Sequence, residues 1–293
     1  MKIVEKTKIW FSLSIAVIVI GLLVGFINGF NMGIDFTGGT MMQINIGKTI
    51  SVEEAKNITS QFALDADILH AGDEKQEIII KTKKDLDNKQ REEIFNAFKE
   101  KYDLKDEDYR QAEQFGPSIG KEIAQRALLS ILIASVGMLA YITFRFEFKF
   151  GVAGIIALIH DVLVVIAIYG LFQIPMNSSL VAAILTVVGY SINDTIVVFD
   201  RIRENVKFMK KSNYAEVAND SINQTLARSI NTSLTTLITI VTLYVLGVES
   251  IKQFALPLIA GIATGAYSSI FIASPIWVMW KNWEKNKGKY KPA

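Results

Sequence analysis

The sequence predicts an α-helical polytopic membrane protein: six transmembrane helices and a small α+β ferredoxin-like (βαββαβ) domain between the first span and the second. Three observations predict it. The 293 residues are 51% apolar yet 20% charged, with a mean hydropathy of +0.31, so the charges must be segregated from the oil. Long charge-free runs follow one another along the chain. One polar stretch of about 85 residues interrupts them, and it alternates between strand-like and helix-like periodicity.

The runs come first in the argument. Lys8 is followed by no charge until Asp35, and similar gaps span Ala127–Phe144, Ser229–Val248 and Gln253–Trp280. Each can cross a hydrocarbon layer of about 30 Å at about 1.5 Å per helical residue. Gly151–Phe172 and Leu180–Phe199 are interrupted by His160, Asp161 and Asp194, and remain long enough to span. Lys2, Lys6 and Lys8 precede the first run as in a signal peptide, but the run is too long and no small-x-small site follows, so it is expected to stay attached. The absence of cysteine leaves no disulfide and no thiolate metal site.

Charge orients the spans. Arg145 and Lys149 mark the second connection, Arg201, Arg203, Lys207, Lys210 and Lys211 the fourth, and Lys281, Lys285, Lys287, Lys289 and Lys291 the tail. The positive-inside rule puts these connections and both termini in the cytoplasm. Residues 31–116 hold 18 acidic and 12 basic residues, a net −6 against +8 for the rest, as expected for a domain on the opposite side. The expected division is residues 1–30 for the N-terminus and first span and 31–118 for the extracytoplasmic domain. A five-helix bundle takes 119–281, with spans at about 121–144, 150–173, 178–200, 225–248 and 253–280, and a basic tail takes 282–293.

Within the domain the pattern reads strand 40–46, helix 51–63, strands 66–71 and 77–82, helix 88–102 and strand 109–115. Ser51 and Glu54 form a capping-box signature at the first helix, and AGDE at 71–74 reads as a hairpin turn. GIDFTGG at 33–39 offers three glycines for unusual backbone angles, and Asp35 could cap an amide. A rigid turn fixing the domain on its stalk suits it better than a ligand site, and no GK[ST] follows to make a phosphate loop.

Intramembrane polar residues are the functional candidates, because a central charge costs about 2.5–3.5 kcal/mol on insertion scales. Thr186, Tyr190 and Asp194 fall four apart on one helix face, with Asn193 alongside. Arg228 leads a stripe of Thr232, Thr235, Thr239 and Thr242, with Ser229, Ser233 and Thr236 beside it. An Asp194 that alternately meets and leaves Arg228 could release and capture a proton. The plainer alternatives are an interhelical hydrogen-bond clamp for Asp194 and an Arg228 that snorkels to lipid phosphates. His160 and Asp161 sit mid-span, and as neighbours they are expected to point in different directions. Either could join a proton path or simply bind a neighbouring helix, and the two supply no metal-ligand set. Gly21, Gly25 and Gly29, and again Gly261 and Gly265, follow the GxxxG spacing of close helix packing.

Five blocks, GIDFTGG at 33–39, IHD at 159–161, GYSINDTIVVFDRIREN at 189–205, ARSINTSLTT at 227–236 and GIATGAYSSIFIASP at 261–275, resemble in order the signature blocks of the SecF family of protein-export membrane proteins. The resemblance implies one half of an RND-superfamily (resistance-nodulation-division) transporter, which uses the proton motive force to promote preprotein translocation across a bacterial cytoplasmic membrane. It implies SecD as heterodimer partner, the SecYEG channel as neighbour with YajC and YidC beside it, and a translocating preprotein as client. It assigns proton-dependent function to Asp194 and Arg228. No cofactor, metal or enzymatic activity is expected.

Four other readings differ in what they require. A small-molecule or lipid exporter half needs a larger outer domain, and a passive translocon scaffold predicts neutral substitutions at the intramembrane charges. An enzyme lacks a Ser/His/Asp set in the domain, where His70 is the one histidine and reads as a hairpin-edge residue. Nucleic-acid binding does not fit an acidic outer domain.

Overall fold

The computed structural model describes residues 2–72, 74–208 and 213–289. Asp73 of the expected hairpin turn, Lys210 and Lys211 of the fourth connection, and residues 290–293 of the tail, Lys291 among them, lie outside the described residues.

The α+β domain contains strands β1 (Gly39–Asn45), β2 (Ala66–Ala71), β3 (Glu77–Thr82) and β4 (Tyr109–Phe115), with helices α3 (Val52–Ser60) and α4 (Asn88–Tyr102). The sheet order is β2-β3-β1-β4 and every pair is antiparallel, which is the ferredoxin-like arrangement. Alternate residues point inward as the two-residue strand period requires: Met42 and Ile44 of β1, and Ile78 and Ile80 of β3, are buried. They meet Ala55 and Ile58 of α3 and Ile94, Phe95 and Phe98 of α4 in one apolar core.

Local chemistry sets the helix ends. The Ser51 hydroxyl accepts from the Glu54 amide at 3.1 Å and the Glu54 carboxylate accepts from the Ser51 amide at 3.2 Å. Asp87 and Gln90 repeat this box at α4. The sequence carries the first helix to residue 63, but α3 stops at Ser60. Ala63 takes a φ of +53°, which a continuing right-handed helix excludes.

Six helical segments are long and apolar enough to cross a membrane. Five are α1 (Thr7–Asn28), α5 (Pro117–Arg145), α6 (Phe148–Leu171), α7 (Ser178–Phe208) and α8 (Tyr214–Leu246). The sixth is built from α9 (Glu249–Ser268), a π-helical turn over Ser269–Ala273 and α10 (Ser274–Lys289). In α6, α7 and the sixth span 56%, 50% and 56% of the apolar window is buried, against 17%, 6% and 11% in α1, α5 and α8. The first three therefore form the interior of the bundle.

Small residues bring these helices together. A Cβ on Gly21 would lie 2.4 Å from the Ala167 carbonyl oxygen, and one on Gly261 would lie 2.2 Å from the Val187 side chain. Gly25 meets Gly170 backbone to backbone, and Gly265 meets Ser191. Gly29 is the exception to the expected packing motif. It ends α1 with a φ of +77° and has nothing within 4 Å of its would-be Cβ, so it serves as a helix terminator.

The fourth connection also differs from a loop. Helix α7 continues to Phe208, so Arg201, Arg203 and Lys207 are helical. Ion pairs three residues apart, Arg201–Glu204 at 2.8 Å and Arg203–Asp200 at 2.9 Å, support the helix past its apolar stretch. Arg203 further donates to the Arg145 carbonyl at 3.0 Å.

Candidate functional site

The interior face of α6 presents Asp161, whose side chain is fully buried. One carboxylate oxygen accepts from the Ser191 hydroxyl of α7 at 2.6 Å and from the Ser268 hydroxyl of α9 at 2.8 Å. The other lies 3.0 Å from Nδ1 of His160. The two adjacent side chains therefore meet, contrary to the expectation that they diverge. A separation of about 100° around the helix still lets a long imidazole fold back onto a short carboxylate. The His160 ring stacks on Tyr267 with centroids 6.0 Å apart, and Tyr267 donates to the Trp10 carbonyl at 2.9 Å. His160 Nε2 is buried without a hydrogen-bond partner among the described residues.

Asp194 lies on α7, almost one turn beyond Ser191, and is 6% exposed. Among the described residues its Oδ2 is buried and has no partner within hydrogen-bond distance. Ser229 of α8 and Ser269 of the π turn face it, and Arg228 acts on it from a distance rather than through an ion pair. Arg228 itself stands on the exposed side of α8. Thr195, next to Asp194, pairs its hydroxyl with that of Ser269 at 2.8 Å.

The other polar residues of the two stripes divide between interior and exterior. Tyr190 is half-buried and its hydroxyl donates to the Thr232 carbonyl at 2.9 Å, 3.0 Å from the Thr236 hydroxyl. Thr186 and Asn193 are exposed, as are Thr232, Thr235 and Thr239, while Thr236 is half-buried. The four α8 threonines donate to carbonyls one turn back, Thr232 to Arg228 at 2.8 Å and Thr239 to Thr235 at 3.2 Å among them, so the stripe satisfies its own hydroxyls.

Close packing at Gly261 and Gly265 seats α9 against α7, which brings Ser268 and Ser269 to the two carboxylates. Sequence reasoning passed over these serines, Ser191 and Thr195. A usable signal was Pro275, which has no N–H to bond the carbonyl of residue 271 and so loosens the ladder. The π turn forms there, with the Ser274 hydroxyl donating to the Ser269 carbonyl at 3.0 Å.

The glycine-rich stretch sits at the other end of α7. Gly33 precedes one helical turn, α2 (Ile34–Thr37), and Gly38 and Gly39 follow with φ of +81° and +143°. A Cβ on Gly39 would come within 2.1 Å of the Thr82 carbonyl oxygen, so this close approach to β3 requires glycine. Asp35 accepts from the amide and hydroxyl of Ser178, at 2.7 and 2.6 Å, at the start of α7. The Gly33 amide donates to the Met176 carbonyl at 2.7 Å. The turn is thus a tie between the domain's stalk and α7. His70 lies on edge strand β2, its Nε2 2.7 Å from the Ile50 carbonyl oxygen.

Comparison with known proteins places this geometry. The family model for the C-terminal part of protein export membrane proteins SecD/SecF matches residues 94–283, and the SecD/SecF GG motif matches residues 24–50. Protein translocase subunit SecF of Alicyclobacillus acidocaldarius is 38% identical over 286 residues, 96% of this chain and 92% of that protein. SecDF of Bacillus subtilis is 35% identical over 287 residues, 97% of this chain and 38% of that protein. The crystal structure of SecDF from Thermus thermophilus superimposes with a TM-score of 0.81 at 37% identity, covering 95% of this chain and 38% of that one. The chain thus spans about two fifths of the fused SecDF proteins it matches and nearly all of the separate SecF protein. The match runs through the stalk turn and the helices carrying Asp161, Asp194 and Arg228, and on it the chain belongs to the SecD/SecF family of protein export membrane proteins.

Proposed function

We propose that this chain is the SecF part of a SecD/SecF machine that uses the proton motive force to promote late steps of preprotein translocation, with Asp194 as its proton-binding group. The observation that carries this reading is the state of Asp194: a buried carboxylate on an interior helix, with one oxygen unpartnered. A buried carboxylate oxygen with no described donor at hydrogen-bond distance, and only the Ser229 and Ser269 hydroxyls facing the group, is a place for a proton to bind, because the neutral acid avoids the cost of an unpaired charge in a low-dielectric interior. Arg228 stands outward on α8, the helix least covered after α5, so a shift of α8 relative to α7 would change the charge Asp194 experiences.

One elementary charge crossing 100 mV releases about 2.3 kcal/mol, enough to bias a two-state equilibrium roughly 50-fold. The Asp35 tie would carry a movement of α7 to the outer domain. The fused SecDF relatives support SecD as partner, and the family resemblance supports SecYEG, YajC and YidC as neighbours. The charge split supports cytoplasmic termini and an outer domain that receives the client.

The test is gradient-dependent export in cells carrying Asp194→Asn or Arg228→Ala. Both are expected to lower the gradient-dependent component at least tenfold while leaving membrane insertion of the chain intact; full export in either variant refutes the assignment.

A further inference from the structure

The serine pair at the π turn stands between two buried carboxylates. Ser268 donates to Asp161 at 2.8 Å, whereas Ser269 faces Asp194 and shares a hydrogen bond with Thr195 at 2.8 Å. Both serine hydroxyls also lie within reach of one acceptor, the Gly265 carbonyl, at 3.2 and 2.9 Å. A hydroxyl has one proton to give, so each serine chooses between its helix carbonyl and the site beside it. A π turn leaves its backbone ladder irregular, which makes that choice easy to reverse.

We infer that Asp161, shared with His160, is a second proton-holding group in the membrane, coupled to Asp194 through the Ser268–Ser269 turn. This rests on the reading of Asp194 given above. The chemistry is that of a pair which holds one proton. With His160 neutral and Asp161 ionised the pair carries −1 in a dry interior, steadied by the Ser191 and Ser268 donors. One added proton, on the Asp161 carboxyl, makes the pair neutral, and its loss restores the charge.

Among the described residues the charged and titratable groups around it are few. His160 adjoins it on α6, Tyr267 lies on α9 against the imidazole, and Asp194 and Arg228 lie across the turn on α7 and α8. From α1 the polar contacts reach Tyr267 and carry no charge: the Trp10 carbonyl accepts from its hydroxyl at 2.9 Å and the Ser14 hydroxyl donates to it at 3.3 Å. Buried polar atoms are nearly always hydrogen-bonded, yet His160 Nε2 and Asp194 Oδ2, one on each side of the serine turn, are not. Ser229 Oγ, which faces Asp194, is buried without a partner among the described residues as well, so donor and acceptor at this level of the bundle are open to pairing in another arrangement of the helices.

In the coupled picture, protonating Asp161 weakens its hold on the Ser268 hydroxyl. The turn then re-forms its bonds to Gly265, and the donor available to Asp194 from Ser269 changes. Neither residue need pass its proton directly to the other.

The experiment is an infrared pH titration of the full chain in liposomes, reading the carboxyl C=O stretch and assigning bands by substitution. The expected result is two bands, one lost in Asp161→Asn and the other in Asp194→Asn. In Asp161→Asn the remaining Asp194 band should titrate about one pH unit away from its midpoint in the unsubstituted chain, a tenfold change in proton affinity. If Asp161→Asn removes no band, or leaves the Asp194 midpoint in place, the inference is wrong. If Asp161→Asn does not accumulate, Ser268→Ala keeps both carboxyls and should still move both midpoints; unmoved midpoints overturn the coupling. Full export in Asp194→Asn beside a titrating Asp161 band would instead refute the functional reading above and leave Asp161 as a proton site.

Discussion

The outer domain and the membrane bundle are built on opposite rules. In the domain, large apolar side chains such as Phe98, Ile78 and Ile80 are enclosed and charge lies outside, so the hydrophobic effect drives assembly. In the bundle the outer surface is apolar: Phe26, Leu128 and Val245 are exposed on α1, α5 and α8. Its interior holds Asp161, Asp194, Ser191, Ser268 and Ser269. Lipid is as apolar as leucine, so association there depends on close backbone approach and on hydrogen bonds between helices. In the first region the buried polar side chains, Thr40 and Thr82 among them, bond nearby backbone, and in the second they bond one helix to another.

The contrast can be broken by changing side-chain size in each region. Phe98 has no exposed surface, and Phe98→Ala should destabilise the domain by about 3–5 kcal/mol through lost burial and an unfilled cavity. Amide hydrogen exchange in β1 and α4 of the detergent-solubilised chain would report it, with α6 and α7 unaffected. In the bundle it is growth that should harm. Gly261→Ala places a methyl 2.2 Å from Val187, and overpacking of this kind costs about 1–3 kcal/mol. Thermal unfolding of the purified chain would measure the loss, and a neutral Gly261→Ala would show that the bundle does not depend on close approach.

The smallest effect lies where the regions meet. Burial pushes the Asp67 carboxyl of β2 above the ordinary aspartate range, while Lys81 and Lys56 pull it back and Glu249 of α9 raises it again. A group that binds its proton more tightly folded than unfolded loses stability as pH rises from its unfolded value, about 3.9, to its raised folded value, and the loss is constant above that. Asp67→Asn should therefore flatten the acid-side slope of domain stability and raise stability slightly at neutral pH. An unchanged pH profile of hydrogen exchange in β2 would place Asp67 in open solvent.

Much of the architecture was legible because its signals are local. Charge-free runs mark spans, and two-residue alternation marks Ile78 and Ile80. The Ser51–Glu54 box marks a helix start. Asp194 and Arg228 stood out because charge is conspicuous in an apolar run. The serine cluster did not, because Ser191, Ser268 and Ser269 are unremarkable on their own helices and matter through what they touch on others. Gly29 misled for a related reason: spacing reports which face a glycine occupies, and whether another helix lies there is a separate fact.

By itself the sequence determined the six spans, the ferredoxin-like order and the placing of two carboxylates at bilayer depth, since these follow from hydropathy and short-range periodicity. Tertiary structure decided that Asp161 gathers His160, Ser191 and Ser268 while Asp194 keeps a free oxygen. It also decided that Asp35 ties the stalk to the start of α7, 143 residues away. Those pairings depend on how closely helices approach and how they are rotated, which glycine contacts and the π turn set jointly across the bundle.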